Sequence, residues 1–408
     1  MKILLINKFL YRRGGDAVSL FNTADLLLKN GHEVFYWGMS HPKNSEFPFK
    51  EYFVPYVDYD HPLGVKREFG AALNIFYSFE AKKKINAFLK IRKPDVVHLF
   101  NFAHQISPSI LDVFKRYNIP VIMTACDYKL VCPSYTMYSK GKPCEKCKGA
   151  RFYQCFINKC TKNSYAKSLI NAAEMYLHHK VLRIYDKIDL FISPSAFLKD
   201  KIYEMGFKRQ VIHLTNFIDS GDYIPDYNYP GDEICYCGRL SLEKGLFTLL
   251  DAVKNSQIRL KIVGDGPIRA DLEQKINNEK ITNVRFTGYR SGEELKEEIR
   301  NSRFLVIPSE CYENSPLSVL EAFALGKPVI GASIGGIPEL VKDGETGYTF
   351  KSGDVEALRN KILMLKENKD KLIMMGKDAR KYVEENFNSE KHYQGLTKIY
   401  QLSIKKNN

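Results

Sequence analysis

Two doubly wound α/β domains facing a cleft are the fold this chain predicts, and three observations carry that reading. At 408 residues the chain is too long for one ordinary core. Short apolar runs alternate with amphipathic stretches nearly throughout, as parallel strands covered by helices on both faces require. The alternation stops once, at SGDYIPDYNYPGD (220–232), where two prolines and three tyrosines show no period, and then restarts.

Taken in order, KILLIN (2–7) reads as a buried strand and AVSLFNTADLLLKNG (17–31) as the helix that follows it. HEVFYWG (32–38), DVVHLF (95–100), VIMTAC (121–126) and DLFISP (189–194) are further strands, with helical SPSILDVFKRYN before VIMTAC. After the linker come strand EICYCG (233–238) and helix LFTLLDAVKN, then strands RLKIVG (259–264), VRFTGY (284–289), FLVIPS (304–309) and PVIGA (328–332). The predicted organisation is a first domain over 1–215 and a second over 216–385. A final segment, 386–408, has Tyr393, Leu396 and Tyr400 at helical spacing and is expected to pack back on the first domain.

The composition, 44% apolar and 26% charged, is globular. No run reaches about eighteen apolar residues, so no transmembrane helix is expected. MKILLINKFLYRRGGD has no small-residue cleavage site and reads as a strand rather than a signal peptide, which points to the cytoplasm. The net charge of +14 is uneven: residues 1–200 carry 30 Lys and Arg against 17 Asp and Glu, residues 201–408 carry 31 against 30. A basic first half suggests an anionic partner, whether a membrane surface, a phosphorylated substrate or nucleic acid. A generally lysine-rich composition is the competing explanation, but it leaves the balanced second half unaccounted for.

Six of nine cysteines fall within 35 residues, in and just before CPSYTMYSKGKPCEKCKGARFYQCFINKC (132–160). Cys144-x2-Cys147 has zinc-knuckle spacing, and Cys155-x4-Cys160 could supply a second pair for one structural zinc. Free cysteines in a packed hairpin are the alternative. The insertion is also basic and follows the strand that should border an acceptor, so a role in acceptor binding is a second reading.

Chemistry collects at the carboxyl ends of strands in the second half, where loops of such sheets bind ligands. Gly238, Arg239 and Lys244 follow EICYCG; Asp265 and Gly266 follow RLKIVG; Tyr289 and Arg290 follow VRFTG; Glu310 and Glu313 follow FLVIPS. An Arg fork and a Lys point charge beside glycines suit a diphosphate. A helix starting at Ser315-Pro316 adds backbone N–H donors, and Gly14-Gly15, after the first strand, lets backbone approach from across the cleft. Glu321 follows Leu317 by four residues, on the edge of an apolar stripe of Leu317, Leu320, Ala324 and Leu325. A carboxylate there needs partners, and ribose hydroxyls would serve; a solvated surface glutamate is the other reading.

The stretch SECYENSPLSVLEAFALGKPVIGASIGGIPELVKDGETGYTF (309–350) resembles the signature of retaining glycosyltransferases of family 4. It holds two glutamates with seven residues between them, an EA-x-A-x-G-x-PVI run and a GG-x-PE turn. The resemblance extends to GRLSLEKG, KIVGDGP, FTGYRS and GGDAVSLFNTADLLLKNGHEV, most of the chain. It implies a GT-B fold of two Rossmann-like domains and a nucleotide-sugar donor, UDP- or GDP-linked, used without a catalytic metal. Carried over by motif, Arg239 and Lys244 would stabilise the departing diphosphate and Glu313 would hold the donor sugar. Backbone amides of Asn314, Ser315 and Leu317, around Pro316, would touch sugar or phosphate. Glu321 would bind the ribose, with Tyr289 near the base. Retention would proceed by front-face attack, the leaving phosphate assisting proton removal. One departure stands out: where many relatives have T-x-H-D, this chain has Cys126 before Asp127. His98 and His104 lie nearby, and Cys126, Asp127 and His104 are the candidate acceptor pocket.

The function implied is transfer of a sugar, as by a hexosyltransferase, to a glycan in surface polysaccharide synthesis. The acceptor would be lipid-linked or free, met at the inner face of the cytoplasmic membrane against anionic lipid. A sugar-nucleotide epimerase of similar shape would turn over donor without acceptor. A non-catalytic zinc-containing binder of nucleic acid or glycan would leave Glu313 and Glu321 without a role, and the insertion has no stacking pattern for RNA, so no nucleic acid is expected.

Overall fold

The computed structural model describes residues 1–57, 74–229 and 231–407. Its first sheet is built from β1 (Lys2–Ile6), β2 (Glu33–Trp37), β3 (Val96–Leu99), β4 (Val121–Thr124), β7 (Leu190–Ser193) and β8 (Val211–His213). All are parallel, in the order β2-β1-β3-β4-β7-β8. Helices α1 (Gly15–Lys29), α2 (Phe79–Ile91), α3 (Ile110–Arg116), α5 (Tyr165–Tyr176) and α6 (Ala196–Glu204) lie between them. Ile3, Leu4, Leu5 and Ile6 are all fully buried, so the run in β1 is apolar without alternation, as a sheet covered on both faces demands.

The second sheet joins β9 (Glu233–Cys237), β10 (Arg259–Val263), β11 (Val284–Gly288), β12 (Leu305–Ile307), β13 (Val329–Ala332) and β14 (Gly347–Phe350). Its order is β11-β10-β9-β12-β13-β14, again all parallel. This is the dinucleotide-fold order, and the direction of winding reverses between β9 and β12, leaving a crevice at their carboxyl ends. Its helices are α7 (Leu246–Val253), α8 (Arg269–Asn278), α9 (Gly292–Arg300), α10 (Leu317–Ala324), α11 (Ile337–Leu340), α12 (Val355–Glu367) and α13 (Lys369–Asn386).

Two doubly wound domains thus face one another, as the alternating pattern implied. The short strands β8 and β14 were not anticipated; both lie at sheet edges, where only one neighbour needs satisfying. The aperiodic stretch from Ser220 is irregular but packed. Tyr229 is buried with its hydroxyl 3.1 Å from the carbonyls of Gly326 and Leu372, and buried Lys327 donates to the carbonyl of Asp226 (2.7 Å). The last helix, α14 (Ser389–Asn407), lies against β3 and β4 of the first sheet.

Between β4 and β7 the chain forms a hairpin of β5 (Tyr138–Ser139) and β6 (Lys142–Pro143), then a short helix α4 (Tyr153–Ile157) packed on α5. The four-thiolate zinc site expected here is not formed: among the described residues no group of three or more His, Cys, Asp or Glu is arranged to hold a metal ion. Cys144, Cys147, Cys155 and Cys160 are free thiols. Cys155 faces the Thr161 hydroxyl and Cys160 the Ser139 hydroxyl, each at 3.9 Å. Cys155 and Cys160 also hydrogen-bond each other, which raises the Cys155 thiol and lowers that of Cys160.

Candidate active site in the interdomain cleft

The crevice between β9 and β12 gathers the cations and carboxylates that the sequence placed at strand ends. After β9 the chain passes Gly238 and exposed Arg239 into a single helical turn, Leu242–Lys244. Gly245 ends that turn at φ +70°, pressed on the end of β12; a Cβ there would sit 1.9 Å from the Pro308 carbonyl oxygen. This contact brings Lys244 beside the loop after β12. Its Nζ donates to Glu313 Oε1 at 2.6 Å, and Ser309 Oγ donates to the same oxygen at 2.6 Å. The side chains of Lys244 and Glu313 are 26% and 13% exposed. Burial alone would raise the Glu313 carboxyl, but Lys244 more than offsets it and holds it below the ordinary glutamate range. Burial likewise works against the Lys244 ammonium, and Glu313 pushes it up past its usual value. The pair is therefore ionised throughout the physiological range.

Glu321 contrasts with Glu313. It lies on α10, half-buried, and has no hydrogen-bond or ion-pair partner among the described residues. Burial pushes its carboxyl up to about 7, with Lys296 and Arg12 pulling weakly the other way. An unpartnered, desolvated carboxylate facing a ligand crevice is an acceptor without donors.

Loops from the first domain complete the cleft. Tyr289, exposed after β11, donates its hydroxyl to the Arg12 carbonyl at 2.6 Å, bringing the β1–α1 loop across. In that loop a Cβ at Gly15 would meet nothing within 4 Å, and at Gly14 only the Asp16 carboxylate at 3.5 Å, so packing does not require these glycines. Asp265 is exposed; its carboxylate accepts from the Gly266 N–H at 2.7 Å and lies 3.5 Å from Arg269, so it shapes its loop. Asn314 is a bridge: its amide donates to the Ala125 carbonyl (3.0 Å) and accepts from Ser195 Oγ (2.8 Å), both in the first domain. Ser315, Pro316 and Leu317 form the half-exposed entry to α10; Val319 N–H donates to the Pro316 carbonyl at 3.1 Å, and the N–H groups of Leu317 and Ser318 have no partner within the helix.

On the first domain's side of the cleft, Cys126 and Asp127 sit at the carboxyl end of β4. Burial raises the Cys126 thiol well above its usual value, so it stays a neutral thiol, and its Sγ lies 3.6 Å from the Thr124 carbonyl. Burial also raises Asp127, offset in part by the N–H of Lys129 and by Lys8. His104 is drawn away: its Nε2 lies 3.2 Å from Glu174 Oε2 and 3.2 Å from Lys129 Nζ, within a buried ion pair of Lys129 and Glu174 at 2.6 Å. His98 is a packing residue between Tyr400 and Thr124. The cavity behind Cys126 and Asp127, lined also by Met123, Glu174 and His178, holds about 20 Å³, which admits a water and not a sugar.

Several residues in or beside the cleft escaped the sequence reading. Lys8, at the end of β1, and Asp16 act electrostatically on Asp127 and Cys126. From the insertion, Glu145 accepts from the Tyr312 hydroxyl at 2.8 Å. Tyr138 is pushed up to about 12, by burial first and then by Glu310. The signal for Lys8 was a cation closing a buried strand; for the insertion residues there was none, since their partners lie over 160 residues away.

A dinucleotide-type sheet with cations and an unpartnered carboxylate at its switch point, faced by a second doubly wound domain, is the architecture of GT-B glycosyltransferases. The chain belongs to glycosyltransferase family 4: the family described as Glycosyltransferase Family 4 matches residues 13–221, half of the chain, and Glycosyl transferases group 1 matches residues 228–382. Uncharacterized glycosyltransferase MJ1178 of Methanocaldococcus jannaschii is 27% identical over 52% of this chain and 59% of its own length. An uncharacterized 42.6 kDa protein in the cps region of Klebsiella pneumoniae is 25% identical over 83% of this chain and 87% of its own. The amylovoran biosynthesis glycosyltransferase AmsK of Erwinia amylovora is 25% identical over 53% and 57%. Among solved structures, Anabaena HepE in complex with UDP and glucose superposes with a TM-score of 0.70 over 98% of this chain and 99% of that one, at 16% identity, a likeness of fold.

Proposed function

We propose that this chain is a retaining glycosyltransferase that moves a sugar from a nucleotide sugar to a glycan, lipid-linked in the cell, during surface polysaccharide synthesis at the inner face of the cytoplasmic membrane. The observation that carries the reading is the division of labour at the switch point. Lys244 and Arg239 offer positive charge where a diphosphate would leave, and Glu321 waits without donors on the adjoining helix. In the proposed reaction the bond from the sugar's anomeric carbon to the phosphate oxygen breaks, and a bond to the acceptor hydroxyl oxygen forms on the same face. The hydroxyl proton passes to the departing phosphate. The charge that develops there is what Arg239, Lys244 and the entry of α10 are placed to stabilise. Glu313 is committed to Lys244 and Ser309, so its proposed role is to hold the sugar and set the Lys244 position rather than to attack. On the acceptor side, Cys126 stands where the family motif has histidine and shapes the pocket, and Asp127, next to it and acted on by Lys8, is the ionisable group that would take over part of that role. The polysaccharide context rests on the relatives named for amylovoran biosynthesis and the cps region.

Purified protein melted with UDP, GDP and ADP and their common sugars tests this. One nucleotide class should raise the melting temperature, and Glu321→Ala should weaken that nucleotide about 10- to 100-fold, the worth of hydrogen bonds to a charged group. No shift with any nucleotide at concentrations well above micromolar would overturn the donor assignment.

A further inference from the structure

The insertion after β4 presents to solvent an apolar and basic face that the proposed reaction leaves unused. On the outer side of α4 and α5, Tyr153, Phe156, Ile157, Tyr165 and Leu169 are between 36% and 57% exposed. They form one patch. The Phe156 and Tyr165 rings lie 5.3 Å apart, Leu169 follows Tyr165 by one helical turn, and Tyr153 precedes Ile157 by one. Lys159 stands over the Tyr165 ring at 4.3 Å. Single exposed apolar residues are ordinary, whereas a contiguous group rimmed by charge marks a contact surface.

The charge around the patch selects the partner. Residues 146–183 hold eight Lys and Arg and one acid, Glu174. Glu174 is 1% exposed and paired with Lys129, so no acidic residue of this stretch reaches the surface. Aromatic rings and aliphatic tips on a lysine-rich segment that exposes no acid fit the headgroup layer of an anionic bilayer. The other side of the same insertion borders the cleft, where Glu145 accepts from Tyr312 of the donor loop.

We propose that this face seats the enzyme on anionic lipid, which sets the mouth of the cleft at headgroup level, where the sugar of a lipid-borne acceptor arrives. The proposal rests on the lipid-linked acceptor reading and names the surface that serves it. Lysine and arginine near such a surface each add to docking, and the buried rings make it resistant to salt.

Co-sedimentation of the full chain with phosphatidylcholine vesicles, with and without phosphatidylglycerol, tests it. The protein should bind the phosphatidylglycerol vesicles and only weakly the neutral ones. Phe156→Ser with Leu169→Ser should reduce binding roughly tenfold or more, since both side chains enter the interface. Lys148→Glu with Lys167→Glu should abolish the preference for anionic lipid. Nucleotide stabilisation measured on the same variants should be unchanged, which separates failure of the docking face from failure of the glycosyltransferase reading. Binding by the serine variant equal to that of the parent, equal binding to both vesicle types, or no vesicle binding at all would overturn the proposal. So would a dimer of the parent that the serine variant dissolves, which would give the face to a second copy of the chain.

Discussion

Glu321 is the residue where structure and chemistry pull hardest against each other. Its carboxyl titrates at about 7 in the folded chain against an ordinary 4.5, because burial disfavours the charge and Lys296 and Arg12 offset only part of that. The folded state therefore holds its proton more tightly than the unfolded state between those values. Stability from this group is present at low pH and is lost as pH rises from about 4.5 to 7. Allowing for its partial exposure, the loss is about 2 kcal/mol. Glu321→Gln should flatten that slope and leave the free protein about 2 kcal/mol more stable at pH 8, while weakening nucleotide binding. Urea melts at pH 5, 6.5 and 8 would show it; parallel pH profiles for parent and variant would sink the idea. The position was legible because it depends on local geometry alone, a glutamate four residues beyond a half-buried leucine that packs against the core. The Lys244–Glu313 pair was legible in part: each residue was placed at a strand end, but their 2.6 Å contact depends on which strands are neighbours, and local pattern does not encode that.

At the scale of elements, the domains are held by a helix end. The Glu339 carboxylate of the second domain accepts from the backbone N–H groups of Ala196 (2.9 Å) and Phe197 (2.5 Å), the first turn of α6 in the first. Ser195 Oγ caps the same helix by accepting from Leu198 N–H, and its hydroxyl donates a hydrogen bond to Asn314 Oδ1. The turn before Glu339 is drawn in tightly, for a Cβ at Gly336 would fall 1.9 Å from the Asn314 carbonyl oxygen. A carboxylate on two free N–H groups at the positive end of a helix is a strong form of cap. Glu339→Ala should cost about 2 kcal/mol and make the interdomain segments more open to limited proteolysis, with nucleotide stabilisation of the second domain retained. A variant as stable and as protease-resistant as the parent would show the latch carries no weight. In the sequence, GG-x-PE stood out only as part of a signature. Its partner is about 140 residues upstream. Edge strands β8 and β14 escaped for another reason: their few residues carry too little period to declare themselves.

At the scale of the whole molecule, the chain crosses between domains and then returns. After α13 it runs back as α14 across the first sheet, where Tyr400 is fully buried and its hydroxyl meets His98 Nδ1 at 2.8 Å. The other His98 nitrogen lies 2.8 Å from Thr124 Oγ1, so one imidazole ties α14 to β3 and β4 at once. Burial pushes His98 down to about 3, which keeps it neutral and lets it serve as donor and acceptor rather than as a charge. This return couples the two folding units: the first sheet is incomplete without a helix whose sequence follows the second. Tyr400→Ala removes a large buried ring and leaves the imidazole short of a partner, a loss of about 3–5 kcal/mol. The parent should melt in one calorimetric transition. The variant should melt in two, the first domain earlier and the second still raised by the stabilising nucleotide. A single transition displaced as a whole would mean that the cleft contacts of Asn314, Glu339 and Tyr289 suffice to couple the domains, and that α14 serves only to cover the sheet.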